Sequence, residues 1–267
     1  MKLAALAGPL ASTNRPRRRP ADGLRRGGYR ARVPAPAAVL LDSGGVFLLP
    51  ERARIVAALE RAGLDVDVSR VDDAHYRAAA RFHTGLDVEA DWEGCWRDYL
   101  EAYAEACGVE PADREEAHRH LDSEFADVAL WAEVAPGCRE GLAALAATGV
   151  RLGVVSNADG LMAARLQERE ILQVGPGVGV EVECVIDSGA VGVSKPDPKI
   201  FHVALDALGV DAAEAWYIGD MPAIDAVGAR RAGLRPFVID PIGIHGGDEY
   251  TPVPSLDALA VLVEAAR

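Results

Sequence analysis

Hydrophobic positions along this chain follow two different rhythms, and the change between them divides the molecule. Ala37–Leu41 is a short apolar run ending in Asp42-Ser43-Gly44-Gly45, which predicts a buried strand entering a tight turn. From Glu51 to about Glu133 the apolar residues recur at helical spacing. Ile55, Val56 and Leu59 form one such stripe; Trp92, Trp96, Tyr99, Leu100 and Tyr103 form another. Ser69 before Val71–Phe82 and Pro111 before Glu115–Phe125 read as helix starts. This stretch predicts about four helices and gives no strand signal.

After Pro136 helix and strand alternate. Helices are predicted over Cys138–Ala147, Leu161–Arg169, Pro198–Leu208, Ala223–Ala232 and Leu256–Ala266. Between them stand strands at Arg151–Ser156, Val182–Asp187, Ala215–Ile218 and Pro236–Ile239. Repeated strand–helix units imply an α/β fold with a doubly wound parallel sheet. The expected organisation is a tail over 1–34, a core built from 35–50 and 134–267, and a helical domain inserted at 51–133.

Charge changes the picture at the N-terminus. Residues 1–34 hold nine Lys/Arg against one acid, and the rest of the chain holds 19 against 40. An Arg/Pro/Gly-rich segment with little apolar content is expected to be disordered. An acidic body repels nucleic acid, which argues against duplex binding. No apolar run approaches the ~18 residues needed to cross a bilayer. Leu3–Leu10 is apolar but runs into arginines without a convincing cleavage site, so a secretory signal is not expected. Cys95, Cys107, Cys138 and Cys184 are widely spaced, with no C-x-x-C pair; they suit a reducing cytoplasm as small buried hydrophobes.

The candidate chemistry lies where the predicted strands end, since ligands of open parallel sheets bind beyond the carboxyl ends. Those ends carry Asp42, then Ser156-Asn157, then Asp220, with Lys195 in the loop after the third strand. Such a set suits phosphoryl transfer. A carboxylate can attack phosphorus, carboxylates with a carbonyl suit magnesium, and lysine with glycine-turn N–H groups neutralises phosphate oxygens. Only three residues are lysine against 25 arginines, so one placed at a strand end stands out. Lys199 instead reads as a surface residue of a helix that Asp197 caps and Pro198 opens. On the inserted helices His75, His83, Trp92 and Trp96 read as core or surface, and Asp72, Asp73 and Glu93 as solvated faces.

Four segments together resemble the motifs of the haloacid dehalogenase (HAD) superfamily. Leu41-Asp42-Ser43-Gly44-Gly45-Val46 is similar to its first motif, Val155-Ser156-Asn157 to the second, and Ser194-Lys195-Pro196-Asp197-Pro198 to the third. Ile218-Gly219-Asp220, followed by Asp225 and Gly228–Gly233, is similar to the fourth. The resemblance implies a Rossmann-like core with a helical cap of the family's first type, inserted after motif one. It implies that Asp42 is nucleophile and metal ligand, and that Ser156 and Lys195 bind phosphate. Asp220, Asp225 and the Gly44 carbonyl are implied to hold Mg2+, and Ser43, Gly44, Gly45 and Asn157 to line the substrate. A magnesium-dependent phosphatase of a small phosphorylated metabolite is expected, with no nucleic-acid or membrane partner and the oligomeric state open.

Two positions depart from the family. Its phosphatases usually carry a second aspartate, the leaving-group acid, where this chain has Gly44, and a threonine where it has Val46. Loss of a proton donor typically costs ~10²–10⁴-fold in rate with a poor leaving group. Two other readings of the scaffold accommodate this. One is a non-catalytic phosphate-binding protein; the other is a 2-haloacid dehalogenase-like hydrolase, although its relatives lack the glycine–aspartate found at Gly219-Asp220. The phosphonate-cleaving branch needs a cap lysine, and residues 51–133 contain none.

Overall fold

Ala38–Leu41 (β1), buried throughout, lies near the middle of the main sheet of this computed structural model. The structure describes residues 34–82, 91–246 and 248–267; the expectations for the basic tail up to residue 33 and for His83 lie outside them. After β1 a short strand, Leu48–Pro50 (β2), leads into four helices. These are Arg52–Arg61 (α1), Val68–Arg81 (α2), Trp92–Ala106 (α3) and Arg114–Phe125 (α4). Trp131–Val134 (β3) then returns to pair antiparallel with β2. The chain continues through Cys138–Ala147 (α5), Arg151–Ser156 (β4) and Met162–Glu168 (α6). The small parallel pair Leu172–Val174 (β5) and Val180–Val182 (β6) precedes Cys184–Asp187 (β7), Ser188–Val191 (α7) and Pro198–Leu208 (α8). Ala215–Gly219 (β8), Asp225–Arg231 (α9), Arg235–Ile239 (β9), Thr251–Val253 (β10) and Leu256–Ala266 (α10) complete it.

The main sheet has the order β10-β9-β8-β1-β4-β7, and every pairing is parallel. Leu41 therefore sits between Val154 of β4 and Ile218 of β8, so the residues after these three strands open onto one crevice. Strands buried on both faces need helices on both, which explains why β1 and β8 read as unbroken apolar runs. The helix α8 shows how local sequence fixes its place. Pro198 opens it, the Asp197 side chain accepts the Lys199 N–H, and Gly209 closes it with a left-handed φ of 62°. Its buried stripe (Ile200, Phe201, Ala204, Leu205, Leu208) packs with Leu40 and Tyr217 of the sheet.

The four inserted helices bury their own apolar cluster, including Ile55, Leu59, Phe82, Tyr99, Tyr103 and Phe125. That cluster extends to Ala223 and Ile224, in the turn between Asp220 and Asp225. The inserted segment is not all helix, as its pattern suggested: it ends in β3, and Glu133 lies inside that strand. Strands of three and four residues are too short to show a period, and β2 and β3 find each other across about 80 residues of chain. The start of α2 also differs. Its cap is Asp67, whose carboxylate accepts the Ser69 N–H, so the helix begins earlier than Ser69 indicated. All four cysteines are buried. No helix among the described residues is long and apolar enough to cross a membrane.

Candidate active site

Asp42 leaves the end of β1 with its N–H bonded to the Ile218 carbonyl at 2.8 Å, and its Oδ1 accepts the Ser43 N–H at 2.7 Å. Lys195 is the hub of the cluster. Its Nζ lies 2.7 Å from Asp42 Oδ2, 2.8 Å from Asp225 Oδ1 and 2.9 Å from the Tyr217 hydroxyl. Tyr217 in turn donates to Asp225 Oδ1 at 2.8 Å, while Asp225 Oδ2 accepts the N–H groups of Asp220 and Met221 at 3.1 and 2.9 Å. Four donors thus fill the acceptor sites of Asp225. That makes Asp225 the anchor of Lys195 and of the loop, and leaves Asp42 and Asp220 as the less committed carboxylates.

Asp42, Asp220 and Asp225 are all buried and place carboxylate oxygens within 4.8 Å of one another. Burial pushes the Asp42 carboxyl up to about 8; Lys195 pulls against the rise, while Asp225 and Asp220 add to it. Burial by itself lowers the Lys195 ammonium, but Asp225 and Asp42 outweigh it and hold Lys195 above its ordinary value. Three carboxylates against one ammonium leave two negative charges in excess when all are ionised. A hard divalent cation fits both that charge and that all-oxygen donor set.

The second and third candidate segments meet beside Asp42. Ser156, the last residue of β4, places its hydroxyl 2.5 Å from that of Ser43, both nearly inaccessible. Asn157 grips the Lys195 backbone with both ends of its amide, accepting its N–H at 2.8 Å and donating to its carbonyl at 3.0 Å. Its first task is therefore to hold the lysine loop. Gly44 lines the cavity, whereas Gly45 is not among the cavity-lining residues. Its N–H goes to the Leu48 carbonyl and its own carbonyl accepts the Tyr76 hydroxyl, so neither group is left for a substrate. With φ of 65° and a hypothetical Cβ 2.3 Å from Asp220 Cγ, Gly45 is needed for the turn itself.

Asp42, Ser43, Gly44, Ser156, Asn157, Lys195, Asp220 and Asp225 all border one cavity of about 210 Å³. Its opposite wall comes largely from the inserted segment: Trp92, Trp96, Phe125, Val128 and Trp131.

A family model for haloacid dehalogenase-like hydrolases matches residues 34–233. The chain belongs to this family. Among curated HAD relatives, a phosphoserine phosphatase of Thermus thermophilus is 33% identical over 217 residues, covering 78% of this chain and 83% of the relative. A phosphoglycolate phosphatase of Rhodospirillum rubrum is 31% identical over 238 residues, covering 86% and 88%. The fold matches a crystal structure of a HAD-superfamily hydrolase from Ehrlichia chaffeensis with a TM-score of 0.53 at 14% identity, over 86% of this chain and 97% of that one.

Five residues of this HAD site escaped the sequence reading. Tyr217 lies in an apolar strand and reads as core, yet its hydroxyl joins Lys195 to Asp225. His75 of α2, expected in core or surface, bonds through Nε2 to Asp220 Oδ2 at 2.7 Å, and through Nδ1 to the Tyr99 hydroxyl at 2.9 Å. Trp131 fills the space beside Gly44, its six-membered ring 3.3 Å from where a Cβ would stand. Trp92 and Trp96 likewise line the cavity rather than serving only as core or surface. No motif signals those of the inserted segment, because each reaches the site from a stretch distant from the motifs in sequence. Tyr217, next to the fourth motif, is hidden by the apolar run of its strand.

Proposed function

We propose that the chain is a magnesium-dependent phosphomonoester hydrolase that works through an aspartyl-phosphate on Asp42. The observation that carries this reading is the buried cluster of Asp42, Asp220 and Asp225 around the single ammonium of Lys195. The phosphatase names of the two curated relatives support it.

Asp42 attacks phosphorus, and the bond from phosphorus to the ester oxygen breaks with its electron pair leaving on that oxygen. Water then attacks the phosphorus of the aspartyl-phosphate, which frees the Asp42 carboxylate and inorganic phosphate. One water proton stays on the phosphate and the other ends on the released alkoxide or phenoxide. Lys195 keeps Asp42 oriented through its 2.7 Å contact and offers positive charge to the phosphoryl oxygens, while Ser43 and Ser156 offer hydroxyls. Asp42 and Asp220, with Asp225 behind them, would hold magnesium, which would supply the remaining positive charge for an anionic ester to approach buried carboxylates. The Gly44 carbonyl would be a further oxygen ligand.

Phosphate release from acetyl phosphate, measured with magnesium and with excess chelator, tests the reading. Release that requires magnesium is expected. Equal release in chelator would contradict the metal assignment.

A further inference from the structure

We propose that the leaving group of the natural substrate is a neutral aromatic ring bearing the ester oxygen, an aryl phosphate, seated on the tryptophan wall of the cavity. This proposal rests on the phosphatase reading above and names its substrate class.

Charge is distributed one-sidedly around the cavity. Asp42, Lys195, Asp220 and Asp225 stand at the core end, and among the described residues no charged side chain from the inserted segment lines the opposite wall. Lys195 is already engaged by Asp42 and Asp225. A second anionic group on the substrate, such as a carboxylate, therefore finds no counter-charge among the described lining residues, and burying it unpaired is costly.

The opposite wall is built to stack. Trp96 lies parallel to Tyr99 at 5.0 Å with 10° between planes and meets Phe125 edge-on at 5.6 Å. Its indole N–H is tied to Asp122 Oδ1 at 2.9 Å, so the platform is fixed before any ligand arrives. Trp92 stacks on Trp96 at 6.2 Å and 6°, and is half exposed. A flat apolar ring matches this aromatic lining better than a polyol chain does.

A second, independent observation points to the same class. The place of the family's leaving-group acid holds the carbon edge of Trp131, whose atoms nearest Gly44 are Cζ3, Cε3 and Cη2. None of these can donate a proton. His75 offers no substitute, since both its ring nitrogens are engaged, by Tyr99 and Asp220. An ester oxygen that leaves without protonation must be stable as an anion, and a phenoxide satisfies this where a sugar alkoxide does not.

The test compares kcat/KM for 1-naphthyl phosphate, benzyl phosphate, acetyl phosphate, phosphoserine and phosphoglycolate on the full chain with magnesium. It is paired with calorimetric binding of naphthylmethylphosphonate and methylphosphonate, which cannot be hydrolysed. 1-Naphthyl phosphate is expected to exceed phosphoserine and phosphoglycolate by at least about 100-fold. Naphthylmethylphosphonate is expected to bind at least about tenfold tighter than methylphosphonate. Trp92→Ala, at a half-exposed position, and Trp96→Leu should each lower the naphthyl-to-acetyl selectivity ratio about tenfold, with Trp96→Phe retaining most of it. Phosphoglycolate or phosphoserine turned over as well as 1-naphthyl phosphate would overturn the aromatic pocket and leave the phosphatase reading standing. No release from any ester, with the naphthyl phosphonate still preferred, would overturn the phosphatase reading and support the pocket.

Discussion

The two walls of the cavity are built by opposite rules. At the core end, Asp42, Lys195, Tyr217 and Asp225 are buried and joined by bonds of 2.7–2.9 Å, with one ammonium shared between two carboxylates. The wall from the inserted segment is aromatic, and its contacts are stacked or edge-on rings. The contrast separates two tasks. Charged groups in low dielectric must be held rigidly, because leaving one unpaired costs several kcal/mol; an aromatic wall chooses by shape and can change without dismantling the reaction. His75 is where the two rules meet, since it stands on α2 yet bonds Asp220.

If the core wall carries the reaction, changes there should be the most severe. Asp42→Asn is expected to lower turnover of acetyl phosphate by at least about 10³-fold while the circular dichroism spectrum is preserved, because an amide is a poor nucleophile. Lys195→Met leaves Asp42 and Asp225 buried without their cation, and chemical denaturation should show a loss of about 3–5 kcal/mol. A loss below about 1 kcal/mol would show that the charge cluster is not as interdependent as its geometry indicates.

The boundary between the walls can be moved at Gly44. This residue is not among the glycines with positive φ, so an aspartate meets no backbone penalty there, but its side chain meets the Trp131 ring at 3.3 Å. The double variant Gly44→Asp/Trp131→Ala should therefore speed alkyl phosphate hydrolysis up to about 10²-fold relative to aryl phosphate. Gly44→Asp alone should do less. Equal gains for both ester types would mean that proton donation does not limit the reaction.

A smaller effect is expected at the junction. His75→Leu removes a hydrogen bond that orients Asp220, and calorimetry should show magnesium binding weakened about tenfold. Unchanged affinity would assign His75 to packing of α2 alone.

The same contrast explains what the sequence made legible. Part of the core wall was readable because Asp42 follows β1, Ser156 closes β4 and Asp220 follows β8, each at the end of an apolar strand, whereas Tyr217 inside β8 read as core. Helices α5, α8 and α10 begin and end where their caps and periodicity placed them. The aromatic wall was not readable, because Trp96, Phe125 and Trp131 sit at the spacing of an ordinary helical core or in a strand of four residues. Whether such a side chain faces its own core or a neighbouring cavity depends on packing between segments. Gly45 illustrates the reverse error, since its glycine-turn pattern suggested phosphate contacts, whereas its N–H is bonded to the Leu48 carbonyl.

The central claim, that Asp42 carries the phosphoryl group, can be tested by rapid acid quench of the enzyme during turnover of 1-naphthyl phosphate with magnesium, followed by peptide mass spectrometry. The account predicts a peptide containing Asp42 that gains the mass of one phosphoryl group, labile to hydroxylamine and absent in Asp42→Asn. Active enzyme that releases phosphate with no such adduct on Asp42, or with the adduct on another residue, would contradict it.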